Sequence, residues 1–399
     1  MMSWPCYANV CREHYLKLPR QSRVEGPASG WSTVKGEKIM EMNRRSVMGI
    51  VVGASFVPYV GAKSASAQTT IRLTMASSHP TVLPWTKPLE TVVQRSNAVL
   101  EERGSEYRVD WTEAYGGQLY GPPDTLEAIT QNIADIGWIG ALFEPSALPL
   151  QNIMYSTPFA TSTVEQALAT MNGLNENEPA MVKEWSDHDI VFFGSSVSDG
   201  YSLFMNEPLD NIADIAGRKI LGAASTASYV ASLGASFIAG GLPEYYSQLQ
   251  TGVGDGVLIV GTGAYGLKLH EVAKHAIRVD TGPLTFGGLG MNKTIFESLP
   301  EEVQQVMIEM GAVYSGQNAE IINQRANAVW DLMAEEGAII REMPLEEKIQ
   351  WANALPDLGA SWVETNEANG VPAREIMVKF MAALRAAGAE PLRDWSANI

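Results

Sequence analysis

Two histidines five residues apart, in the run His270-Glu-Val-Ala-Lys-His275, are the nearest approach of this sequence to a metal-dependent catalytic motif. A zinc helix spaces its histidines four apart so that both rings face the metal, and a spacing of five turns the second ring away. The run therefore reads as two surface histidines on a helix. Gly194-Ser-Ser-Val-Ser198 likewise falls short of a nucleophile elbow, because Ser198 stands where a second glycine must make the sharp turn. The glycine clusters Gly116-Gly117, Gly240-Gly241 and Gly261-Thr-Gly263 complete neither Gly-Lys-Ser/Thr nor Gly-x-Gly-x-x-Gly. Tight turns at strand ends explain them better than phosphate binding. No metal, cofactor or catalytic residue is expected, and an enzyme survives only as an unspecified activity on a binding scaffold.

The N-terminal part points to export. Arg44-Arg45 form a basic region, Val47 to Ala62 an apolar run, and Ala65-Ser66-Ala67 a small-residue cleavage site before Gln68. A transmembrane anchor is the alternative, but the run is shorter than the roughly 20 residues that span a bilayer. Residues 42–67 are thus expected to be a signal peptide cleaved after Ala67, which places the mature protein in the periplasm. Residues 1–41 then precede a signal peptide, and Lys35-Gly-Glu-Lys-Ile39 could back-translate to a ribosome-binding site ahead of Met40. The expectation is a start assigned too early, against the alternative of a long basic leader.

Both cysteines, Cys6 and Cys11, fall in that leading part, so the expected mature chain has neither a disulfide nor a cysteine-metal site. At 399 residues, with 46% apolar and 18% charged, the chain is long enough to bury a core without a disulfide staple. Nine of its 28 Lys and Arg and four of its 45 Asp and Glu precede Gln68, which leaves a net charge of −22 on the remainder. Such a surface repels nucleic acid and anionic lipid.

Short strands alternate with helices along the rest. Ile71–Ala76, Tyr107–Glu113 and Ile133–Ile139 read as strands, with helices late in Leu83–Leu100 and at Thr125–Asn132. After the strand Ile190–Phe193, the small-residue run Gly194–Gly200 reads as a hinge. Strands at Lys219–Leu221, Gly256–Val260 and Ala276–Val279 then restart the alternation. The pattern predicts an α/β fold with a mostly parallel sheet in each of two successive lobes. Ser298-Leu-Pro-Glu301 reads as a capping box, opening a helix to about Glu336 that is long enough to brace both lobes. The expected division is 68–197 and 288–327 for the first lobe, and 198–287 and 328–399 for the second.

Three motifs stand in order in the centre of the chain: Asn211-Ile-Ala-Asp-Ile-Ala-Gly217-Arg-Lys-Ile220, Leu233-Gly-Ala235, and Tyr246-Ser-Gln-Leu-Gln250 running on to Asp255-Gly256. Gly116-Gly-Gln-Leu119, Leu126-Glu-Ala-Ile129 and Asp135-Ile-Gly137 precede them, and Glu271-Val-Ala273, Gly290-Met-Asn-Lys293 and Leu299-Pro300 follow. Together they resemble the solute-binding proteins of TRAP-type secondary transporters. The resemblance implies a periplasmic-binding-protein-like fold, with two α/β lobes, a cleft between them and a long helix bracing both. It also implies a small organic solute in the cleft and delivery to small and large integral membrane subunits. A binding protein serving a sensor or another transporter class is the alternative, beside a periplasmic enzyme on the same scaffold.

Where that family carries carboxylate-gripping arginines, this chain has Leu221 after Gly217-Arg-Lys-Ile220, and Tyr201 or its neighbour Ser202 ahead of Asn206. Arg218 lies three residues before Leu221, an odd shift that points it to the opposite face of a strand. Ile259 stands where the family often has Asn. By the same matching, Ser78, His79, Tyr120, Trp138 and Gly140 should line the first-lobe side, with Glu113 at a strand end nearby. Trp138 and Tyr201 are expected to form an aromatic face. Such a set suits a neutral, aromatic or amine-bearing solute.

Overall fold

The computed structural model describes residues 68–399; the expected leader, the export signal and both cysteines lie outside the described residues. Up to residue 198 the strands are β1 (Thr69–Ala76), β2 (Tyr107–Ala114), β3 (Ile136–Ile139) and β4 (Ile190–Ser198). From 201 to 278 they are β5 (Tyr201–Met205), β6 (Lys219–Gly222), β7 (Ser236–Ala239), β8 (Gly256–Val260) and β9 (His275–Arg278), with β10 (Leu284–Asn292) and β11 (Ile339–Glu342) after them. They build two sheets, ordered β2-β1-β3-β10-β4 and β11-β9-β5-β8-β6-β7.

Each sheet is mixed where a mostly parallel one was expected. β1 pairs in parallel with β2 and β3, and β6 with β7 and β8. β10 runs antiparallel to β3 and β4, as β5 does to β8 and β9. The two reversed strands are those the chain enters directly after crossing from the other sheet. A strand entering at the edge where its neighbours end must run against them.

The crossing is shorter than the expected hinge at Gly194–Gly200. β4 continues as strand through Ser198, leaving Asp199-Gly200 to pass between the sheets. Gly194 serves close packing rather than flexibility. A Cβ on it would lie 2.6 Å from Ser315 Oγ and 2.7 Å from Gly311 O, while a Cβ on Gly311 would lie 2.1 Å from Phe193 O. Small residues on both sides let the helix Glu301–Arg325 press against β4, and Ser315 Oγ donates to Ser195 O at 2.8 Å.

That helix begins where expected but not as expected. Ser298 ends the preceding helix, Lys293–Ser298, and donates to Ile295 O, while Pro300 occupies the cap position without a side-chain bond. Glu301 and Glu302 in its first turn complement the helix dipole instead. The helix stops at Arg325 rather than near Glu336; after Ala326-Asn327 a second one, Ala328–Glu335, continues. The first lies along β4 and the helix Lys87–Glu102, and the second along β11 and the helix Gly261–Gly266, so the pair spans both lobes. Trp330 stacks on Phe204 of β5 at 5.6 Å between centroids.

The C-terminal region divides, unlike the expected assignment of all of 328–399 to the second lobe. Trp351, in the helix Leu345–Ala354, donates to Tyr229 O on the second-lobe side. The helices Leu358–Ala368 and Ala373–Ala386 turn back to first-lobe elements. Trp362 Nε1 donates to Pro149 O at 3.2 Å, Lys379 pairs with Glu178, and Trp395 Nε1 donates to Pro158 O at 2.9 Å. Buried indoles with satisfied N–H groups make this return a packed interface rather than a trailing end.

His270 and His275 are not surface histidines of one helix. Lys268 adopts a left-handed conformation (φ 58°) and breaks the helix, and His270 sits buried in the short turn Leu269–Glu271, its Nε2 2.8 Å from Glu336. His275 opens β9. Among the described residues no group of three or more His, Cys, Asp or Glu could hold a metal ion, and no helix is long and apolar enough to cross a membrane.

Candidate functional site

Strand ends from both sheets meet at a pocket. The first lobe supplies His79 after β1, Trp85, Leu142 and Phe143 after β3, Ser198 at the end of β4, and Phe286 of β10. The second supplies Tyr201 of β5, Leu258 to Val260 of β8, Ala223 after β6, and Gly240 to Leu242 with Tyr245 after β7. Ligands of α/β sheets bind outside strand carboxyl ends because loops there can carry side chains the sheet does not bury.

The first-lobe wall is a stack of rings. His79 lies 4.9 Å from Trp138 between centroids, Trp138 stands edge-on to Phe286 at 5.8 Å, and Trp85 meets Phe286 at 5.2 Å nearly at right angles. The long helix holds this wall from behind: Tyr314 donates to Trp85 O at 2.7 Å and Asn318 to Pro84 O at 3.1 Å. Across the pocket, Tyr201 and Tyr155 share a hydroxyl contact of 3.1 Å, and Tyr229 donates to Tyr155 O. Tyr245 donates to Gly240 O at 2.7 Å.

The lining contains neither Lys nor Arg, and neither Asp nor Glu. Its titratable groups stay neutral at ordinary pH. Burial pushes Tyr201 up to about 12 and raises Tyr245, and burial lowers His79 to about 4. Trp85 Nε1 donates to His79 Nδ1 at 3.1 Å, while His79 Nε2 is buried without a partner. An N–H in that position forgoes a hydrogen bond at a cost of about 1 to 3 kcal/mol until something accepts from it. Three carboxylates adjoin the lining in sequence, Glu144 after Phe143, Asp199 after Ser198 and Glu244 before Tyr245; none is part of it, and Asp199 accepts from Thr262 N and Oγ1.

Of the residues matched from sequence, His79, Tyr201 and Ile259 line the pocket. Trp138 is fully buried behind His79, its Nε1 donating to Ser196 Oγ, so it backs the wall instead of facing Tyr201. Gly140 supports the same wall, because a Cβ there would lie 2.7 Å from the Trp138 ring. Ser78 and Tyr120 are buried near the wall's base, each with a side-chain oxygen lacking a partner, and neither lines the pocket. Glu113 is exposed on β2, accepting from Tyr115 Oη at 2.8 Å, and stands apart from the lining. Leu221 is fully buried against Gly254, also off the lining, as is Arg218.

Trp85, Phe143, Tyr245 and Phe286 escaped the sequence reading. Tyr245 is one residue ahead of the Tyr246 motif and had a usable signal, whereas Phe286 lies in a strand buried on both faces, where alternation says nothing. Tyr120→Phe removes a buried hydroxyl without a partner, so urea unfolding should show stability unchanged or raised by up to about 1 kcal/mol. A larger loss would mean that the hydroxyl bonds to something inside.

Solved structures share this architecture. A TRAP solute-binding protein from Rhodoferax ferrireducens, in complex with copurified benzoate, superposes with a TM-score of 0.70 at 17% identity, over 80% of this chain and 98% of that one. A marine metagenome TRAP solute-binding protein specific for aromatic acid ligands, with 3-hydroxybenzoate, gives 0.68 at 19% identity over 79% and 98%. An extracytoplasmic solute receptor of Bordetella pertussis that binds pyroglutamic acid gives 0.66 at 18% over 79% and 99%. At these identities the likeness establishes the fold. Residues 81–365 match the family described as bacterial extracellular solute-binding protein, family 7, a stretch that includes every strand but β1 and all of the pocket's lining except His79. With its two lobes, its ring-walled cleft and that match, this chain belongs to family 7 of the bacterial extracellular solute-binding proteins, as its resemblance to TRAP solute-binding proteins implied.

Proposed function

We propose that the protein captures a small uncharged solute bearing a ring in the pocket between its lobes. On this reading it acts in the periplasm after cleavage behind Ala67, hands the solute to small and large TRAP-type membrane subunits, and performs no catalysis. The observation that carries the solute class is the lining: rings from His79, Trp85, Phe143, Tyr201, Tyr245 and Phe286, with no charged side chain. Benzoate and 3-hydroxybenzoate in two similar structures support a six-membered ring as a fitting shape. Both also carry a carboxylate, and there this chain differs. Enclosing a carboxylate without a cation costs several kcal/mol of lost hydration. Leu221 and Tyr201 stand at the positions matched to the family's arginines, and Arg218 lies off the lining. The absence of Asp and Glu from the lining weighs in the same way against an ammonium group, leaving the uncharged ring as the favoured member of the expected set.

A thermal-shift screen of residues 68–399 against neutral aromatic compounds, amines, polyols and carboxylates tests this. A ligand at 100 times its dissociation constant stabilises by about 2.7 kcal/mol, well above detection. Stabilisation by neutral ring compounds is the expected result, and stabilisation by carboxylates alone would refute it. Tyr201→Ala should weaken the solute found in this way by roughly 1 to 3 kcal/mol in calorimetry, through lost ring contact. Unchanged affinity would remove Tyr201 from the site.

A further inference from the structure

We propose that His79 selects the solute by offering one fixed hydrogen-bond donor, its Nε2–H, to an uncharged acceptor such as a carbonyl oxygen, with Trp85 setting the tautomer. The inference rests on the reading of this pocket as the solute site.

An indole nitrogen only donates, so the contact from Trp85 Nε1 requires Nδ1 of His79 to be the acceptor. In the neutral ring the proton then resides on Nε2, the one buried ring atom of His79 with no partner. A second proton would set Nδ1–H against Trp85 Nε1–H, two donors 3.1 Å apart, and burial already disfavours the charge. The rings around it, Trp85, Trp138 and Phe143, bring no charge, and the other titratable groups of the lining are Tyr201 and Tyr245. Of the carboxylates adjoining the lining in sequence, Asp199 is occupied by Thr262, Glu244 is exposed and accepts from Gln248, and Glu144 is half-buried next to Phe143. Trp85 is held in turn through its carbonyl by Tyr314, so the tautomer is anchored to the long helix. A buried donor fixed in advance favours solutes that accept there, because a solute without an acceptor leaves it unpaired.

The ¹⁵N resonances of the His79 imidazole and calorimetry with benzamide, toluene and benzoate test this together. The wild type should show protonated Nε2 and bare Nδ1 at pH 7.5, and should bind benzamide more tightly than toluene or benzoate. His79→Phe should weaken benzamide by about 10- to 100-fold while leaving toluene little changed, and His79→Gln, which keeps an N–H, should recover part of the loss. Trp85→Phe should release the tautomer and let His79 protonate more readily, so that benzoate affinity grows as pH falls from 7.5 to 5.5 in that variant and not in the wild type. A wild-type ring carrying its proton on Nδ1, or benzamide affinity unaffected by His79→Phe, would overturn the role of His79 while leaving the pocket as the solute site. Should no probe bind a wild type whose tautomer is as described, the reading of the pocket falls, and the proposal with it.

Discussion

Gly200→Ala should destabilise the protein by more than about 4 kcal/mol, or prevent folding, even though it adds a single methyl group. A Cβ at Gly200 would stand 2.2 Å from Asp280 Oδ1, 2.7 Å from Gly282 N and 2.8 Å from Thr281 N. The carboxylate could swing aside, but two of the three neighbours are backbone. They cannot yield without moving the second crossing, where Asp280 and Gly282 already adopt left-handed conformations with φ of 56° and 93°. The two crossing segments also hold each other directly. Tyr201 N donates to Thr281 Oγ1 at 3.0 Å, and Thr281 N returns a bond to Tyr201 O at 3.2 Å. A shift at Gly200 therefore propagates to Tyr201, which faces the pocket. Gly316→Ala, in the long helix with open space around its Cβ position, provides the contrast and should stabilise by about 0.5 to 1 kcal/mol through helix propensity. Urea unfolding of the two variants measures both. Near-equal effects would show that the crossing is loose rather than locked.

The second large effect is a pH dependence set by two buried carboxyl groups. Burial raises Asp199 to about 6 and Glu184 to about 7, although Asp199 accepts from Thr262, and Glu184 from Leu150 N and Gln151 N. Ordinary values are 3.8 and 4.5. In both, the folded state holds a proton that the unfolded chain has released, so stability is lost as pH rises from the unfolded value to the folded one. The windows are about pH 4 to 6 for Asp199 and about pH 4.5 to 7 for Glu184. A shift of two units corresponds to about 3 kcal/mol, so each group should account for a loss of that order. Asp199→Asn and Glu184→Gln remove the titration and nearly keep the shape. Their stability relative to wild type should climb through these windows and level off above pH 7, since carboxyl groups common to both proteins cancel in the difference. A difference that stays flat with pH would show that water or the hydrogen-bond donors solvate the carboxylates well enough to offset burial.

Gly200 and Asp199 sit in a run that sequence reading blurred. Gly194–Gly200 looked like one flexible run, because small residues look alike whether they bend a chain or let a helix press on a strand. Only the approach of Gly311 and Ser315 separates Gly194, a packing glycine, from Gly200, a crossing glycine. The helix from Glu301 similarly runs on in the sequence without a breaker, and it ends at Arg325 because Ala326-Asn327 passes from one lobe to the other.

The sequence by itself determined the family and many of the local elements, though β5, β7, β10 and β11 were not read from it. β8 falls at Gly256–Val260 as read from its apolar run, and β1, β2, β6 and β9 lie within a few residues of expectation, because burial on a strand leaves a mark on neighbouring residues. The central motifs from Asn211 to Gly256 suffice for the family, since turns and strand ends impose their demands locally. Tertiary structure alone decided which rings face the pocket. His79 reached the lining as matched, but its single free donor depends on Trp85, and Trp85 depends on Tyr314, which comes from a helix more than two hundred residues further on. Trp138 went to the back of the wall and Phe286 to the front, an exchange settled by packing between β3 and β10. Glu113 looked suited to the site and went to solvent, because β2 is the edge strand of its sheet. A cleft is an agreement among chain segments far apart in sequence, and neither spacing nor composition records which of their side chains will meet.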